Sequence, residues 1–141
     1  MSNCEFPQNN ATSQEIETLL NTSKVVAIVG LSTDESKDSN RVARYLQDAG
    51  YKIIPVNPSA DTILGEKSYA DLASIPEKVD IVNIFRKPEA IPQIVDEAIP
   101  LKPKAIWMQL GLVNNEAATK ARAQGILVVM NKCIKIELAS I

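Results

Sequence analysis

Short apolar runs alternate with amphipathic stretches along most of this chain of 141 residues. The apolar runs are rich in Val and Ile, and such runs predict strands that are buried on both faces of a parallel sheet. Between them, apolar residues recur at helical spacing, as at Val42 and Leu46, and Gly50 follows as a stop signal. The predicted strands are Val25–Val29, Lys52–Val56, Val79–Phe85, Ala105–Gln109 and Ile126–Met130.

Helices are predicted around these strands. The run Thr12–Glu15 fits a capping box, and Ile16, Leu19 and Leu20 form the apolar stripe of the helix behind it. A second predicted helix starts at about Ser39 or Asn40 and ends at Ala49. Three further helices are predicted at about Ile91–Ile99, Asn115–Gln124 and Lys132–Ala139. Residues 1–11 are predicted to be a flexible N-terminal tail, and residues 12–141 a single domain.

Strands and helices that alternate at this spacing are typical of a parallel sheet. The predicted fold is an α/β, Rossmann-type, doubly wound five-stranded parallel sheet with helices on both faces. Ligands of such folds bind at the carboxyl ends of the strands, where the strand order reverses. Candidate chemistry is therefore expected in the loops that follow Val29, Val56, Ile84, Met108 and Met130.

Charge and composition narrow the function classes. A net charge of −2 argues against a general nucleic-acid binder. No apolar run approaches the roughly 20 residues of a membrane span, and no secretory signal is predicted because no apolar segment follows Met1. Cys4 and Cys133 lie at opposite ends of the chain and form no disulfide framework. This favours a cytoplasmic protein in which Cys4 is a free thiol in the tail.

The chain contains no histidine. This excludes Ser-His-Asp and Cys-His catalysis, histidine acid–base chemistry and a phosphohistidine intermediate. The two distant cysteines and scattered carboxylates give no metal-ligand spacing, so no metal is expected.

The loop after the first strand favours a phosphorylated ligand. Gly30 lets the backbone approach a ligand closely, although no further glycines complete a G-x-G-x-x-G dinucleotide motif. The loop Ser32–Asp38 then leads into a predicted helix N-terminus, where free N–H groups bind anions. Arg41 and Lys37 are placed to reach phosphates, and the alternative for both is a solvated charge at a helix start.

Five segments at these strand ends carry a resemblance to a known family. They are Gly30–Ser32, Ile54–Pro58, Phe85–Glu89, Ile106–Gly111 and Val129–Cys133, the last with Glu137 beyond it. Together they resemble the small single-domain CoA-binding proteins, relatives of the N-terminal CoA-binding domain of the succinyl-CoA synthetase α subunit. The resemblance covers about Lys24 to Glu137 and implies that coenzyme A lies across the carboxyl edge of the sheet.

The resemblance and the strand-end positions together give a set of candidate cofactor-binding residues. They are Gly30, Ser32, Thr33, Lys37, Ser39, Arg41, Val56, Asn57, Pro58, Phe85, Arg86, Gln109, Gly111, Asn131 and Lys132. The resemblance makes the Val56–Pro58 segment a wall for the adenosine end of CoA. Gln109 is able to bond an amide of the pantetheine arm, and Phe85 either covers the ligand or belongs to the core. Trp107 is predicted to be a core residue.

The segments also depart from the family pattern. Ser59 and Ala60 stand where several members have a basic residue, and Asn131 and Lys132 stand where the family tends to have Asp-Arg. Cys133 is either a packing residue or a thiol close to that of CoA.

Three functions remain open at this stage. The first is binding of CoA or an acyl-CoA by a non-catalytic binding or regulatory module, with neither nucleic acid nor membrane as partner. The second is an NAD(P)- or nucleotide-binding enzyme or redox sensor, against which Asn57 counts because a Rossmann NAD site has an acid there. The third is a structural subunit without a ligand. The acyl group, any protein partner and the oligomeric state are left open.

Overall fold

Helices and strands alternate along the computed structural model, which describes residues 6–141. The predicted free thiol of Cys4 lies outside this range. In chain order the elements are α1 (Ser13–Thr22), β1 (Val25–Val29), α2 (Asp38–Asp48), β2 (Lys52–Val56), β3 (Thr62–Ile63), β4 (Glu66–Lys67), β5 (Ile81–Ile84), α3 (Ile91–Ala98), β6 (Ala105–Met108), α4 (Asn115–Arg122), β7 (Leu127–Val129) and α5 (Ile134–Ala139). Short 3₁₀ turns lie at Leu72–Ser74, Pro88–Ala90 and Ile99–Leu101.

The central sheet has five strands in the order β2-β1-β5-β6-β7, and all its neighbouring strands are parallel. This confirms the predicted fold class. The chain runs outward from β1 to β2 and then returns to pair β5 with the other side of β1. The strand order therefore reverses between β1 and β5, which is where ligands of doubly wound folds bind.

Helices cover both faces of the sheet, each over its own apolar core. On one face, α1, α2 and α5 bury Leu20, Leu46 and Ile134 against Ile28 and Trp107 of the strands. On the other face, α3 and α4 bury their apolar stripes against the alternate strand residues. Successive strand side chains point to opposite faces, so continuous apolar runs such as Val25–Val29 supply both cores.

Local signals in the sequence account for the helix boundaries. The capping box at α1 is present: the Thr12 side chain accepts from the Glu15 N–H at 3.1 Å, and the Glu15 carboxylate accepts from the Thr12 N–H at 2.8 Å. At α4, the Asn114 side chain accepts from the N–H of Ala117 at 2.9 Å. Both caps satisfy donors that a helix N-terminus would otherwise leave free.

Differences between the prediction and the structure at two boundaries and at one hairpin have identifiable reasons. The predicted strand Val79–Phe85 is shorter, at Ile81–Ile84. Asp80 instead accepts two hydrogen bonds at its carboxylate, from the N–H groups of Lys24 and Val25. The last helix begins at Ile134 because Asn131 has a left-handed φ of 59° and breaks the helical path. The hairpin of β3 and β4 was not predicted, because strands of two residues carry no periodic signal.

The segment before α1 is hydrogen-bonded to the C-terminal half of the domain. The side-chain amide of Asn10 donates to the carbonyl of Met130 and accepts from its N–H, both at 2.9 Å. Arg122 donates to the carbonyl of Asn9 at 2.7 Å. The flexibility of residues 1–11 stays a prediction. Among the helices of residues 6–141, none combines the length and apolar character that a membrane span requires.

Candidate functional site

The carboxyl edge of the sheet begins with a turn that only glycine accommodates. Gly30 has a φ of +90°, and a Cβ atom added there would lie 2.2 Å from the carbonyl oxygen of Phe85. The N–H of Gly30 donates to the carbonyl of Val56 at 3.0 Å. Gly30 therefore keeps the ends of β1, β2 and β5 close together, a requirement of the fold that applies with or without a ligand.

Three polar side chains hold the loop that follows Gly30. Ser39 accepts from the N–H of Ser32 at 3.0 Å, and Asn40 donates to the carbonyl of Ser32 at 2.8 Å. From the other side, Asn57 donates to the carbonyl of Leu31 at 2.9 Å. Ser32, Ser39 and Asn57 thus use these groups to shape the loop, and their side chains do not line the grooves described below.

The N-terminus of α2 faces this edge of the sheet. Its N-cap residue, Lys37, makes no side-chain capping bond, so the first-turn N–H groups and the helix dipole favour an anion. Arg41 lies in the first turn and pairs with Asp38 at 2.9 Å, with the Arg41 side chain 52% exposed. Exposed pairs of this kind contribute about 0–1 kcal/mol, so Arg41 can exchange Asp38 for a stronger anion at little cost.

The same loop carries an ionised acid. Asp34 accepts hydrogen bonds from the hydroxyl and the N–H of Ser36, at 2.7 and 2.9 Å. These bonds, the hydroxyl first, lower the pKa of the Asp34 carboxyl below its ordinary value. Asp34 therefore keeps a negative charge at neutral pH, and any phosphate held nearby needs cations to offset it.

Three grooves lie along the carboxyl edge. One is confined to the segment after β5, where Phe85, Arg86, Lys87, Glu89 and Ala90 line it; the other two are built from several elements. The α2–α5 groove has a volume of about 480 Å³. It is lined by Asp38, Arg41, Val42, Phe85, Arg86, Gln109, Leu110, Leu112, Cys133, Lys135 and Ile136. The β2–α3 groove has a volume of about 350 Å³. It is lined by Val29, Gly30, Val56, Pro58, Ala70, Asp71, Leu72, Arg86, Ala90, Gln93, Ile94 and Glu97.

Arg86 lines both the α2–α5 groove and the β2–α3 groove, and the charges of these two grooves differ. Besides Arg86, the α2–α5 groove has Arg41 and Lys135 against the single acid Asp38. The β2–α3 groove has two acids, Asp71 and Glu97, with Arg86 as its one cation. The junction at Arg86 and the Arg41 end of the α2–α5 groove thus favour anionic groups, and the β2–α3 groove favours uncharged ones.

A buried amide pair lies beneath the floor of the α2–α5 groove. Gln109 is 5% exposed, and its Oε1 atom accepts from the Asn83 side chain and from the N–H of Ile134, both at 3.0 Å. Asn83 is fully buried in β5, between Ile28 and Trp107 of the adjacent strands. Its Oδ1 atom has no hydrogen-bond partner in the described structure. An unpaired buried polar atom costs about 1–3 kcal/mol, so Asn83 lowers the stability of the core that contains it.

The last two loops of the edge are joined to each other. Asn131 accepts from the N–H of Gly111 at 2.7 Å, and the carbonyl of Lys132 accepts from the indole of Trp107 at 2.8 Å. Trp107 is fully buried, which confirms its predicted place in the core. Gly111, Asn131 and Lys132 brace the loops behind Gln109 and do not line either groove.

The structure brings part of the predicted set together at the grooves. These residues are Gly30, Arg41, Val56, Pro58, Phe85, Arg86 and Gln109. Thr33 and Lys37 are exposed beside the α2 N-terminus, outside both linings. Leu110 and Ile136 also line the α2–α5 groove and were not predicted, because their exposure becomes visible only in the structure. Within residues 6–141, no group of His, Cys, Asp and Glu side chains is arranged to hold a metal ion.

The parallel sheet and the grooves at its switch point define a Rossmann-type ligand-binding domain. The chain belongs to the CoA-binding domain family, whose model matches residues 24–139. This confirms the resemblance seen in the strand-end segments.

Relatives of similar length and fold support this membership. The uncharacterized protein YneT of Bacillus subtilis is 42% identical over 127 residues, which cover 90% of this chain and 94% of YneT. The structure of a hypothetical protein from Pyrococcus horikoshii has a TM-score of 0.90 at 34% identity and covers 96% of each chain.

Larger enzymes contain a related domain. An ADP-forming acetate–CoA ligase of Archaeoglobus fulgidus is 35% identical over 74 residues, which are 52% of this chain and only 11% of the ligase. The structure of an acetyl-coenzyme A synthetase from Ca. Korarchaeum cryptofilum, in complex with phosphate and ADP, has a TM-score of 0.70 at 28% identity. This chain covers 26% of that protein, so the likeness concerns one domain of a larger enzyme.

Proposed function

We propose that this protein binds coenzyme A or an acyl-CoA across the carboxyl edge of its sheet, as a binding or regulatory module. The observation that carries the proposal is the shared position of Arg86 between two grooves at the switch point. CoA is a long ligand with a pyrophosphate in its middle, an adenosine that carries a 3′-phosphate at one end and a polar, uncharged arm at the other. Two grooves that meet at a cation suit such a molecule.

The charges of the grooves suggest an orientation for the ligand. The uncharged adenine fits the β2–α3 groove, whose two acids disfavour phosphate and whose lining includes Val56 and Pro58. The pyrophosphate fits the junction, within reach of Arg86, Arg41 and the free N–H groups of α2. The pantetheine arm then follows the α2–α5 groove towards Cys133.

The end of β2 favours CoA over NAD. An NAD site of this fold uses a carboxylate there to accept from the ribose hydroxyls. Asn57 is uncharged, and its Oδ1 atom already accepts from the N–H of Ser59 at 2.8 Å. Its amide nitrogen is committed to the carbonyl of Leu31. Asn57 therefore offers no carboxylate to the ribose hydroxyls, and its amide already takes part in two local hydrogen bonds.

Calorimetry with CoA and NAD tests the proposal. We expect a dissociation constant for CoA in the micromolar range or tighter, equivalent to about −8 kcal/mol or better, and much weaker binding of NAD. Arg86→Ala should weaken CoA binding by about 1.5–3 kcal/mol, the range for a hydrogen bond to a charged group. The matched control is Lys78→Ala. This change removes an exposed cation shortly before β5, whereas Arg86 follows the other end of that strand.

The outcomes separate the proposal from its alternatives. Lys78→Ala should leave the CoA affinity within twofold. Tighter binding of NAD than of CoA by the unaltered protein would reverse the choice of ligand. Equal CoA affinities of the Arg86→Ala and Lys78→Ala proteins would remove the groove junction from the site.

A further inference from the structure

We propose that the α2–α5 groove recognises a carbonyl oxygen of its ligand through the side-chain Nε2 of Gln109, and that Asn83 is the positioning residue that makes this possible. The inference deepens the proposed function and rests on it, because the ligand in question is CoA or an acyl-CoA. Gln109 lines the groove while 95% of its surface is buried, since it is 5% exposed. Its Nε2 atom has no hydrogen-bond partner within residues 6–141.

The backbone fixes which end of the Gln109 amide faces the groove. A main-chain N–H can only donate, so the atom 3.0 Å from the N–H of Ile134 must be the carbonyl oxygen of Gln109. The group of Asn83 that meets the same oxygen at 3.0 Å must then be its NH₂. Both donors occupy Oε1, and Nε2 is left as the polar atom that can meet a ligand.

A groove with this polarity selects an acceptor. The α2–α5 groove is otherwise apolar at this point, where Leu110, Leu112 and Ile136 line it. A fixed donor among apolar side chains favours a carbonyl over a hydroxyl or amino group, because an unmet donor in such a place is costly. CoA offers amide carbonyls in its pantetheine arm, and an acyl-CoA adds the carbonyl of its thioester.

The test compares ligands with and without the arm. Calorimetry is performed with CoA, acetyl-CoA and adenosine 3′,5′-bisphosphate, which lacks the pantetheine arm. The variants are Gln109→Met, which keeps the length of the side chain without its donor, and Asn83→Leu, which keeps the volume of the side chain. A matched control is Ser23→Ala, a buried polar residue without a side-chain partner at the opposite end of the sheet.

We expect Gln109→Met and Asn83→Leu each to weaken CoA binding roughly threefold to tenfold, which corresponds to the loss of one neutral hydrogen bond. The double variant should be no weaker than Gln109→Met, because Asn83 acts through Gln109. Adenosine 3′,5′-bisphosphate should bind all the proteins alike, which a general loss of structure would not produce. A larger loss for acetyl-CoA than for CoA identifies the thioester carbonyl, and equal losses identify an amide carbonyl of the arm.

Two results would overturn the inference. Unchanged binding of CoA and acetyl-CoA by the Gln109→Met protein would show that Nε2 does not contact the ligand. Independent, additive losses of affinity in the double variant would show that Asn83 does not act through Gln109. Should Asn83→Leu fail to fold, Asn83→Ala removes the same donor without adding volume. If the unaltered protein binds none of the three ligands, the proposed function fails as well; if it binds CoA and Gln109→Met binds equally, only this inference fails.

Discussion

Replacement of Gly30 by alanine should destabilise the protein far more than the same change at another left-handed glycine. Gly30 and Gly111 both have a φ of +90°, but only at Gly30 would a Cβ meet other atoms, 2.2 Å from the Phe85 oxygen and 2.8 Å from Cδ of Arg86. A left-handed backbone costs an alanine about 1–2 kcal/mol. Forcing an atom into a filled space costs about 1–3 kcal/mol more. We therefore expect a loss of about 2–5 kcal/mol for Gly30→Ala and about 1–2 kcal/mol for Gly111→Ala.

Urea denaturation without ligand measures both losses. Trp107 is the only tryptophan of the chain and is fully buried, so its fluorescence reports unfolding directly. The free energy of unfolding follows from linear extrapolation, and unchanged slopes would show that both variants unfold like the parent protein. Equal losses for the Gly30→Ala and Gly111→Ala proteins would refute the reasoning, because the contact with Phe85 would then add nothing to the conformational cost.

Further predictions concern the loops of the same edge. Arg41→Ala should weaken CoA binding by about 1.5–3 kcal/mol. Thermal stability should stay nearly unchanged, because the ion pair of Arg41 with Asp38 is exposed. Calorimetry with CoA and dephospho-CoA shows which phosphate Arg41 contacts. Asn57→Ala should lower the free energy of unfolding by about 1–3 kcal/mol in urea denaturation, since the carbonyl of Leu31 loses its donor. Alkylation of Cys133, followed by peptide mass spectrometry, should slow when CoA is present, and an unchanged rate would place the arm elsewhere.

The fold could be predicted from the sequence because its signals are local. The capping box that starts α1 is contained within four residues of the sequence. The apolar runs of β1 and β2 directly indicate strands that are buried. Continuous runs of this kind are buried only between two helix layers, so the sheet and its covering follow together. The strand ends then indicate where a ligand site is built, even before the order of the strands is known.

The sequence could not predict in the same way which polar residues of the candidate site hold its loops and which line its grooves. Ser32 and Asn57 are polar residues that follow strands, and Ser39 lies in the first turn of α2, yet the structure uses all three to hold one loop. Which role a polar side chain takes depends on partners that are distant in the sequence. The orientation of Gln109 is an example, because it is set by residues 26 and 25 positions away, Asn83 and Ile134.

Polar backbone groups at the ends of the two outer strands, β2 and β7, have hydrogen-bond partners from neighbouring segments. An open strand edge is a template for pairing with another chain. On one side, Tyr69 exchanges hydrogen bonds with Pro55 and Asn57 around the end of β2, and Pro55 itself has no N–H to offer. On the other side, the amide of Asn10 occupies both polar groups of Met130 just beyond β7.

These contacts satisfy the polar backbone groups at both margins of the sheet. The N-terminus of α2 has no side-chain cap, while the polar groups at the ends of β2 and β7 already have partners. Removal of the segment before α1 would take away Asn10 and leave the N–H and the carbonyl of Met130 without these partners. We therefore expect the short segment ahead of the first helix to limit pairing of this edge of the sheet with another chain.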